Sequence, residues 1–302
     1  MASDSSKSKS KSSARRGVQD PDENASVREA LRVADGPVSL LGYDPDAKPL
    51  APGGKSKTAE DLLKAGPGLA ELQERLYANG SIGDNRRVLL VLQGMDTSGK
   101  DGVVKHVVGL VGPAGVSIKS FKKPTPEEAA HHFLWRVRKA LPSAGLIGVF
   151  NRSHYEDVVI TRVHEWIDED TRDERIEEIK AFERQLSESG TTILKCFLHI
   201  SYAEQRQRLL ARLDDPTKYW KFNPADIDER AYWSDYQTAY ATAIARTSTD
   251  AAPWYIVPSD SKWYRNWAVG RLLCETLNDL HLQYPAPDFD LDAARNRLQP
   301  PY

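Results

Sequence analysis

Apolar positions along this 302-residue chain follow two alternating rhythms. Short runs that are apolar or alternate apolar with polar residues occur at 88–93 (VLLVLQ), 116–121 (VSIKSF), 145–150 (GLIGVF), 191–200 (TTILKCFLHI) and 253–257 (PWYIV). Their length and β-branched content predict strands. Between them, apolar residues recur at three- and four-residue spacing, which predicts helices. The first covers 58–78, where Leu62, Leu63, Leu69, Leu72 and Leu76 surround a Gly-Pro-Gly break. Others cover 100–110, 126–140, 155–165, 173–189, 202–213, 225–247 and 262–282. The 126–140 helix opens after Pro-Thr-Pro, with Glu127 and Glu128 in its first turn. Strands alternating with helices predict an α/β fold with a parallel sheet and helices on both faces. No internal repeat is visible. In such sheets ligands sit beyond the carboxyl ends of the strands, so the residues following each strand are the first to read for chemistry.

The residues after the 88–93 strand are Gly94-Met95-Asp96-Thr97-Ser98-Gly99-Lys100-Asp101-Gly102. Gly94, four residues, Gly99 and Lys100 satisfy most of the phosphate-loop pattern G-x-x-x-x-G-K-[ST], in the required strand-then-helix context. Glycine lets the backbone fold around an anion and turn several N–H groups inward, and the helix that follows aims its positive end at the same point. Asp101 stands where the pattern has its magnesium-ligating hydroxyl. A hard cation bridging phosphates still needs an oxygen ligand, and Asp96 inside the loop is the candidate. A turn residue bonding its own backbone is the alternative for Asp96.

Two further clusters fit phosphate. The 145–150 strand runs into Asn151-Arg152, where a metal-binding acid often stands in phosphate-loop enzymes. Here a neutral amide is followed by a guanidinium able to fork onto phosphate oxygens. The alternative for Arg152 is a surface ion pair at the sheet edge. Farther along, Arg208 and Arg212 lie four apart on one helix face, and Pro216 ends that helix, presenting Lys218 and Lys221. These four cations read as a lid closing over phosphates, against the alternative of a solvated face with Glu204 pairing Arg208. Tyr232, Trp233, Tyr236 and Tyr240 recur at helical spacing and read as core or interface. The seven histidines show no metal-ligand spacing, which argues against zinc chemistry.

Composition narrows the setting. Hydrophobic residues make up 40% of the chain, enough for a core, and no apolar run approaches membrane length. The basic N-terminus has no hydrophobic segment after it, so it is not a secretory signal. Two cysteines in apolar surroundings, Cys196 and Cys274, suggest core packing in a reducing cytoplasm. With a formal net charge of −2, attraction of an anionic partner must come from local clusters; neither nucleic acid nor membrane is expected as a partner. The expected organisation is a disordered Ser/Lys-rich tail over 1–25, an extended arm over 26–57 anchored by Leu31, Val33, Leu40, Leu41 and Tyr43, a phosphate-loop domain over 58–285 with a lid around 205–230, and a C-terminal tail over 286–302.

Taken together, GMDTSGKDG at 94–102, VFNRSHYEDV at 149–158 and RLDDPTKYWKFNPADIDER at 212–230 resemble the polyphosphate kinase 2 family. The resemblance runs from about Ser26 to Gln283, and three motifs in order are far more specific than one loop. It implies a three-layer α/β/α phosphate-loop kinase fold with a central parallel sheet of about five strands and a helical lid. The activity implied is magnesium-dependent phosphoryl transfer between inorganic polyphosphate and nucleotides, with manganese as an alternative ion. Asp96 is then similar to the family's metal-associated acid, Lys100 to its loop lysine and Arg152 to the arginine of its second motif. The loop residues Gly94, Thr97, Ser98, Gly99, Asp101 and Gly102, with Asn151, would bind nucleotide or phosphate, and Arg208, Arg212, Lys218 and Lys221 would contact the phosphate chain. Asn151 stands where many members have Asp, as in the branch usually called class III, which accepts AMP as well as ADP; Glu156 or Asp157 would be further metal ligands. The implied partners are polyphosphate, AMP, ADP, ATP, guanine nucleotides and a second copy of the chain. Two alternatives stay open: an ATP-dependent nucleoside monophosphate or small-molecule kinase, and a non-catalytic polyphosphate-binding protein.

Overall fold

The structure is a computed structural model, which describes residues 26–299. The sequence-predicted tail over 1–25 lies outside these residues. Five strands, β1 (Arg87–Gln93), β2 (Val116–Ser120), β3 (Ile147–Asn151), β4 (Thr191–His199) and β5 (Trp254–Pro258), form one sheet in the order β2-β3-β1-β4-β5. Every pairing is parallel. The helices are α1 (Val27–Leu31), α2 (Lys55–Ser81), α3 (Lys100–His106), α4 (Pro126–Ala129), α5 (Trp135–Lys139), α6 (Glu156–Val163), α7 (Glu169–Glu188), α8 (Tyr202–Leu213), α9 (Ala225–Glu229), α10 (Trp233–Thr247), α11 (Lys262–Asn278) and α12 (Leu291–Leu298).

The pleat sends alternate side chains of each strand to opposite faces, and each face has its own core. Leu89 and Val91 of β1 pack with Val158 and Val159 of α6, Ile179 and Phe182 of α7, and Ala243 and Ile244 of α10. Val88, Leu90 and Leu92 pack on the other side with Leu69 of α2, Val103 of α3 and Leu272 of α11. The result is the three-layer α/β/α phosphate-loop kinase fold. With β1 at the centre, flanked by β3 and β4, the segments leaving the carboxyl ends of all three strands meet above the middle of the sheet.

The strands fall within two residues of their predicted ends, whereas several helices differ. Pro67 leaves α2 continuous where a break was expected. It removes one backbone donor, whose acceptor would be Leu63 four residues back, and both residues sit on the exposed side of the helix. The predicted 126–140 helix is two single turns. Thr125 and Glu128 form a reciprocal cap on α4, after which Trp135 N donates to the His132 carbonyl in a tight turn that drops Leu134 into the core. The predicted 225–247 helix is interrupted by a 3-10 turn at 230–232, where Arg230 reaches back to Gln205 Oε1 at 2.6 Å. The arm is not wholly extended: it holds α1 and a 3-10 turn, and Leu41 points into solvent, 95% exposed, instead of anchoring it. The predicted C-terminal tail contains α12, none of whose residues is buried. Tyr236 and Tyr240 are core residues as expected, while Tyr232 is exposed; Cys196 is buried and Cys274 only partly so.

Candidate active site

The loop between β1 and α3 turns on Gly94 and Gly99, both with positive φ (145° and 107°). Each is irreplaceable for a further reason. A Cβ on Gly94 would lie 2.6 Å from the Leu198 carbonyl, and one on Gly99 would overlap the Arg265 guanidinium at 1.7 Å. Thr97 (φ 66°) and Arg152 (φ 62°) adopt the same left-handed region with full side chains, the kind of backbone strain that gathers at functional sites. The loop encloses the buried Lys100, whose Nζ donates to the Gly94 carbonyl at 2.7 Å and the Met95 carbonyl at 3.3 Å. Burial, and after it the charge of Arg152, brings the Lys100 pKa down to about 8 against the opposing pull of Asp96, Glu156 and Asp101. Thr97 Oγ1 and Ser98 Oγ are buried without a hydrogen-bond partner; of the two residues only Thr97 lines the cavity, so its hydroxyl is the one placed to meet a polar ligand.

A cavity of about 730 Å³ opens over this loop. Asp96, Thr97, Gly99, Lys100, Asp101 and Gly102 form its floor, Asn151 and Arg152 one wall, and Arg208, Arg212, Lys218 and Lys221 another. The structure therefore brings the three sequence clusters to one place. Gly94 and Ser98 shape the loop from beneath without lining the cavity. Arg152 Nη2 donates to Asp96 Oδ1 at 2.5 Å, and its Nη1 lies 3.8 Å from Glu156 Oε2. Asn151 Nδ2 donates to Asp101 Oδ1 at 2.7 Å, and Lys221 Nζ lies 3.9 Å from Asp101 Oδ2. Arg212 Nη1 donates to the Lys221 carbonyl at 2.8 Å and lies 3.3 Å from Asp226 Oδ2.

Arg208 differs from the lid cation expected. It is 7% exposed and its guanidinium is spent on the body of the protein. Nε pairs with Glu204 at 2.7 Å, Nη1 donates to the carbonyls of Thr97 and Ser98, and Nη2 to those of Ser259 and Asp260. It holds the phosphate loop to α8 and to the segment after β5. Of the two further carboxylates proposed near the metal, Glu156 is half-buried beside Arg152, and desolvation raises its pKa despite the nearby Arg152 and Lys100. Asp157 is turned away onto Arg136 at 3.3 Å.

Sequence reading missed Lys122, Lys123, Asp226, Lys262, Arg265 and Asn266, which also line the cavity. The basic pair at 122–123 follows β2 and could have been found by the same strand-end rule. Lys262 and Arg265 open α11 in the segment PWYIVPSDSKWYRNW, which shares in the family resemblance but carries no phosphate-binding signal of its own, and it is the placement of β5 beside β4 that brings them to the loop.

A sheet, loop and cation ring in this arrangement define a phosphate-loop kinase. Residues 54–285 match the model of the polyphosphate kinase 2 (PPK2) family, and the chain belongs to that family, in its class III-like branch. It is 48% identical over 254 residues to an AMP/ADP-polyphosphate phosphotransferase of Meiothermus ruber, covering 84% of this chain and 94% of that one. It is 43% identical over 229 residues to an ADP-polyphosphate phosphotransferase of Rhodopseudomonas palustris, covering 72% and 78%. Its fold superposes on the crystal structure of polyphosphate kinase 2 from Arthrobacter aurescens TC1 with a TM-score of 0.89 at 50% identity, covering 91% of this chain and 96% of that one. No helix of the described residues is long and apolar enough to cross a membrane.

Proposed function

We propose that this protein transfers the terminal phosphoryl group of inorganic polyphosphate to AMP and ADP, giving ADP and ATP, and runs the reverse reaction as well. The observation that carries this reading is the convergence of Lys100, Arg152, Arg212, Lys218 and Lys221 on one cavity over the phosphate loop, together with the names of its relatives. An oxygen of the nucleotide phosphate attacks the terminal phosphorus of the chain. The bond to the next bridging oxygen breaks, and its electron pair leaves on the shortened polymer. The attacking oxygen is already ionised at neutral pH, so positioning and positive charge are what the protein must supply. Lys100 and Arg152 face the transferred group, and Arg212, Lys218 and Lys221 hold the chain.

Magnesium, or manganese in its place, fits this site. Magnesium is commonly held by one or two carboxylates plus substrate phosphates and waters. Asp96 faces the cavity with Oδ1 on Arg152 and no hydrogen bond to Oδ2 among the described residues, so it would hold the ion. When bound, the ion neutralises phosphate charge. Guanine nucleotides as further acceptors, and assembly into a homo-oligomer, belong to the same reading; the unburied α12 supports the latter.

Product analysis after incubation with polyphosphate, magnesium and AMP, ADP or GDP tests the reading. ADP and ATP should form from AMP, and Lys100→Ala should lower the rate by on the order of a thousandfold with the fold intact, as for loss of a group stabilising transferred charge. Turnover with ATP as the only effective donor would instead identify a nucleoside monophosphate kinase. Polyphosphate binding without turnover would identify a sensor.

A further inference from the structure

Arg265, in the first turn of α11, is 3% exposed. Its guanidinium lies directly against the phosphate loop: Cβ atoms placed on Gly99 and Gly102 would come within 1.7 and 2.5 Å of it. Nη1 donates to the Ser98 carbonyl at 3.1 Å, while Nε and Nη2 share the neutral Asn266 Oδ1 at 3.2 and 2.8 Å. Among the described residues no carboxylate forms a salt bridge with it. Its charged neighbour is a second guanidinium, Arg208, which donates to the same Ser98 carbonyl at 3.0 Å, and Lys262 stands one turn earlier on α11 lining the same cavity. Arg208 has Glu204 for a counter-charge. Arg265 has none.

An ionised group taken out of water without an opposite charge is costly, and a folded chain keeps one where something else supplies the compensation. Arg265 reaches the cavity beside the loop amides, so the compensation arrives with the ligand. We propose that Arg265, assisted by Lys262, is a phosphate-binding residue of this site, its missing counter-charge being an oxygen of a condensed phosphate group. The inference rests on the phosphotransferase reading and adds to it a cation outside the three sequence motifs. Burial, and after it the neighbouring Arg208, lowers the Arg265 pKa to about 9, as expected for a cation held ready without its anion.

Thermal melting of the full chain with and without tripolyphosphate or ADP tests this, alongside steady-state kinetics, in wild type, Arg265→Met and Arg265→Lys. The Met variant should melt no lower than wild type without anion, because it removes an uncompensated charge at similar volume. Its tripolyphosphate-induced rise should fall by more than half. KM for polyphosphate should rise on the order of tenfold to a hundredfold, the range of a charge-assisted hydrogen-bond pair, with kcat changing less. Loss of the tripolyphosphate rise alone assigns the polymer as the ligand, and loss of the ADP rise alone assigns the nucleotide; either supports the inference. A Met variant that melts well below wild type but keeps both rises overturns it, leaving Arg265 a structural clamp. Should the Met variant not fold, Arg265→Lys decides: a raised KM with near-normal kcat supports the inference and an unchanged KM overturns it. A wild type that shows no rise with either anion overturns the phosphotransferase reading as well.

Discussion

Among the described residues two lysines lie buried, and their surroundings are opposite. Lys195, in the middle of β4, is fully enclosed and fully matched: Nζ meets Glu183 Oε2 at 2.6 Å, Tyr155 Oη at 2.9 Å and the Thr247 carbonyl at 2.8 Å. Glu183 in turn accepts from Tyr155 Oη at 2.7 Å and lies 3.3 Å from His154 Nε2. Burial alone would raise the Glu183 pKa, but Lys195 and His154 hold it below the usual carboxylate value. Lys100, at the loop, has only the two carbonyls of Gly94 and Met95 to bond. One buried cation is closed within the protein and the other is left open to a ligand. The difference separates charge used to fix a fold from charge reserved for a substrate.

The comparison breaks most severely at Lys195. Lys195→Met leaves Glu183 enclosed without its counter-charge, and should cost roughly 3–5 kcal/mol of stability, as for other broken buried pairs. The double change with Glu183→Gln should recover a large part of it. Denaturant melts read both, and a loss under about 1 kcal/mol in the single variant would mean the pair adds little.

Lys100 sharpens the contrast through pH. Its folded pKa of about 8 lies below the 10.5 of the free side chain, so between those values the unfolded chain binds more protons. Stability therefore rises with pH across that window. Relative to Lys100→Met, the wild type should gain on the order of 3 kcal/mol from pH 8 to 10.5, with no matching change between pH 6 and 7. Equal pH profiles in the two proteins would show that Lys100 is not desolvated. The smallest effect is expected at the cavity wall. Asn151→Asp replaces the amide donor that meets Asp101 at 2.7 Å with a second carboxylate. It should cost about 1 kcal/mol, partly recovered by magnesium, and a variant as stable as wild type would argue against that contact.

Much of this was legible beforehand because strand patterning and the phosphate loop are local. Five apolar runs give five strands, and Gly94, Gly99 and Lys100 are adjacent enough in sequence to fix a turn. The roles of Arg208 and Arg265 were hidden because neither is local. Arg208 bonds carbonyls 51 to 111 residues away, so its helical spacing suggested an exposed cation when it is an internal tie. Arg265 reaches the loop because β5 lies beside β4, a neighbour relation that periodicity does not encode. Helix breaks at 130–134 and 230–232 were hidden for a similar reason. Tertiary contacts of Leu134 and Arg230 override a helical pattern that continues on either side.

Through Nη1 and Nη2, Arg208 fastens two separate stretches of backbone, the phosphate loop and Ser259-Asp260, to α8, while its Nε pairs with the Glu204 carboxylate on the same helix. A tilt of α8 as a whole would have to drag the anion cradle with it. Any closure of the basic segment over its cargo must therefore pivot downstream of that fastening, between Leu213 and Pro216, so that Lys218 and Lys221 can swing while the floor beneath them stays still.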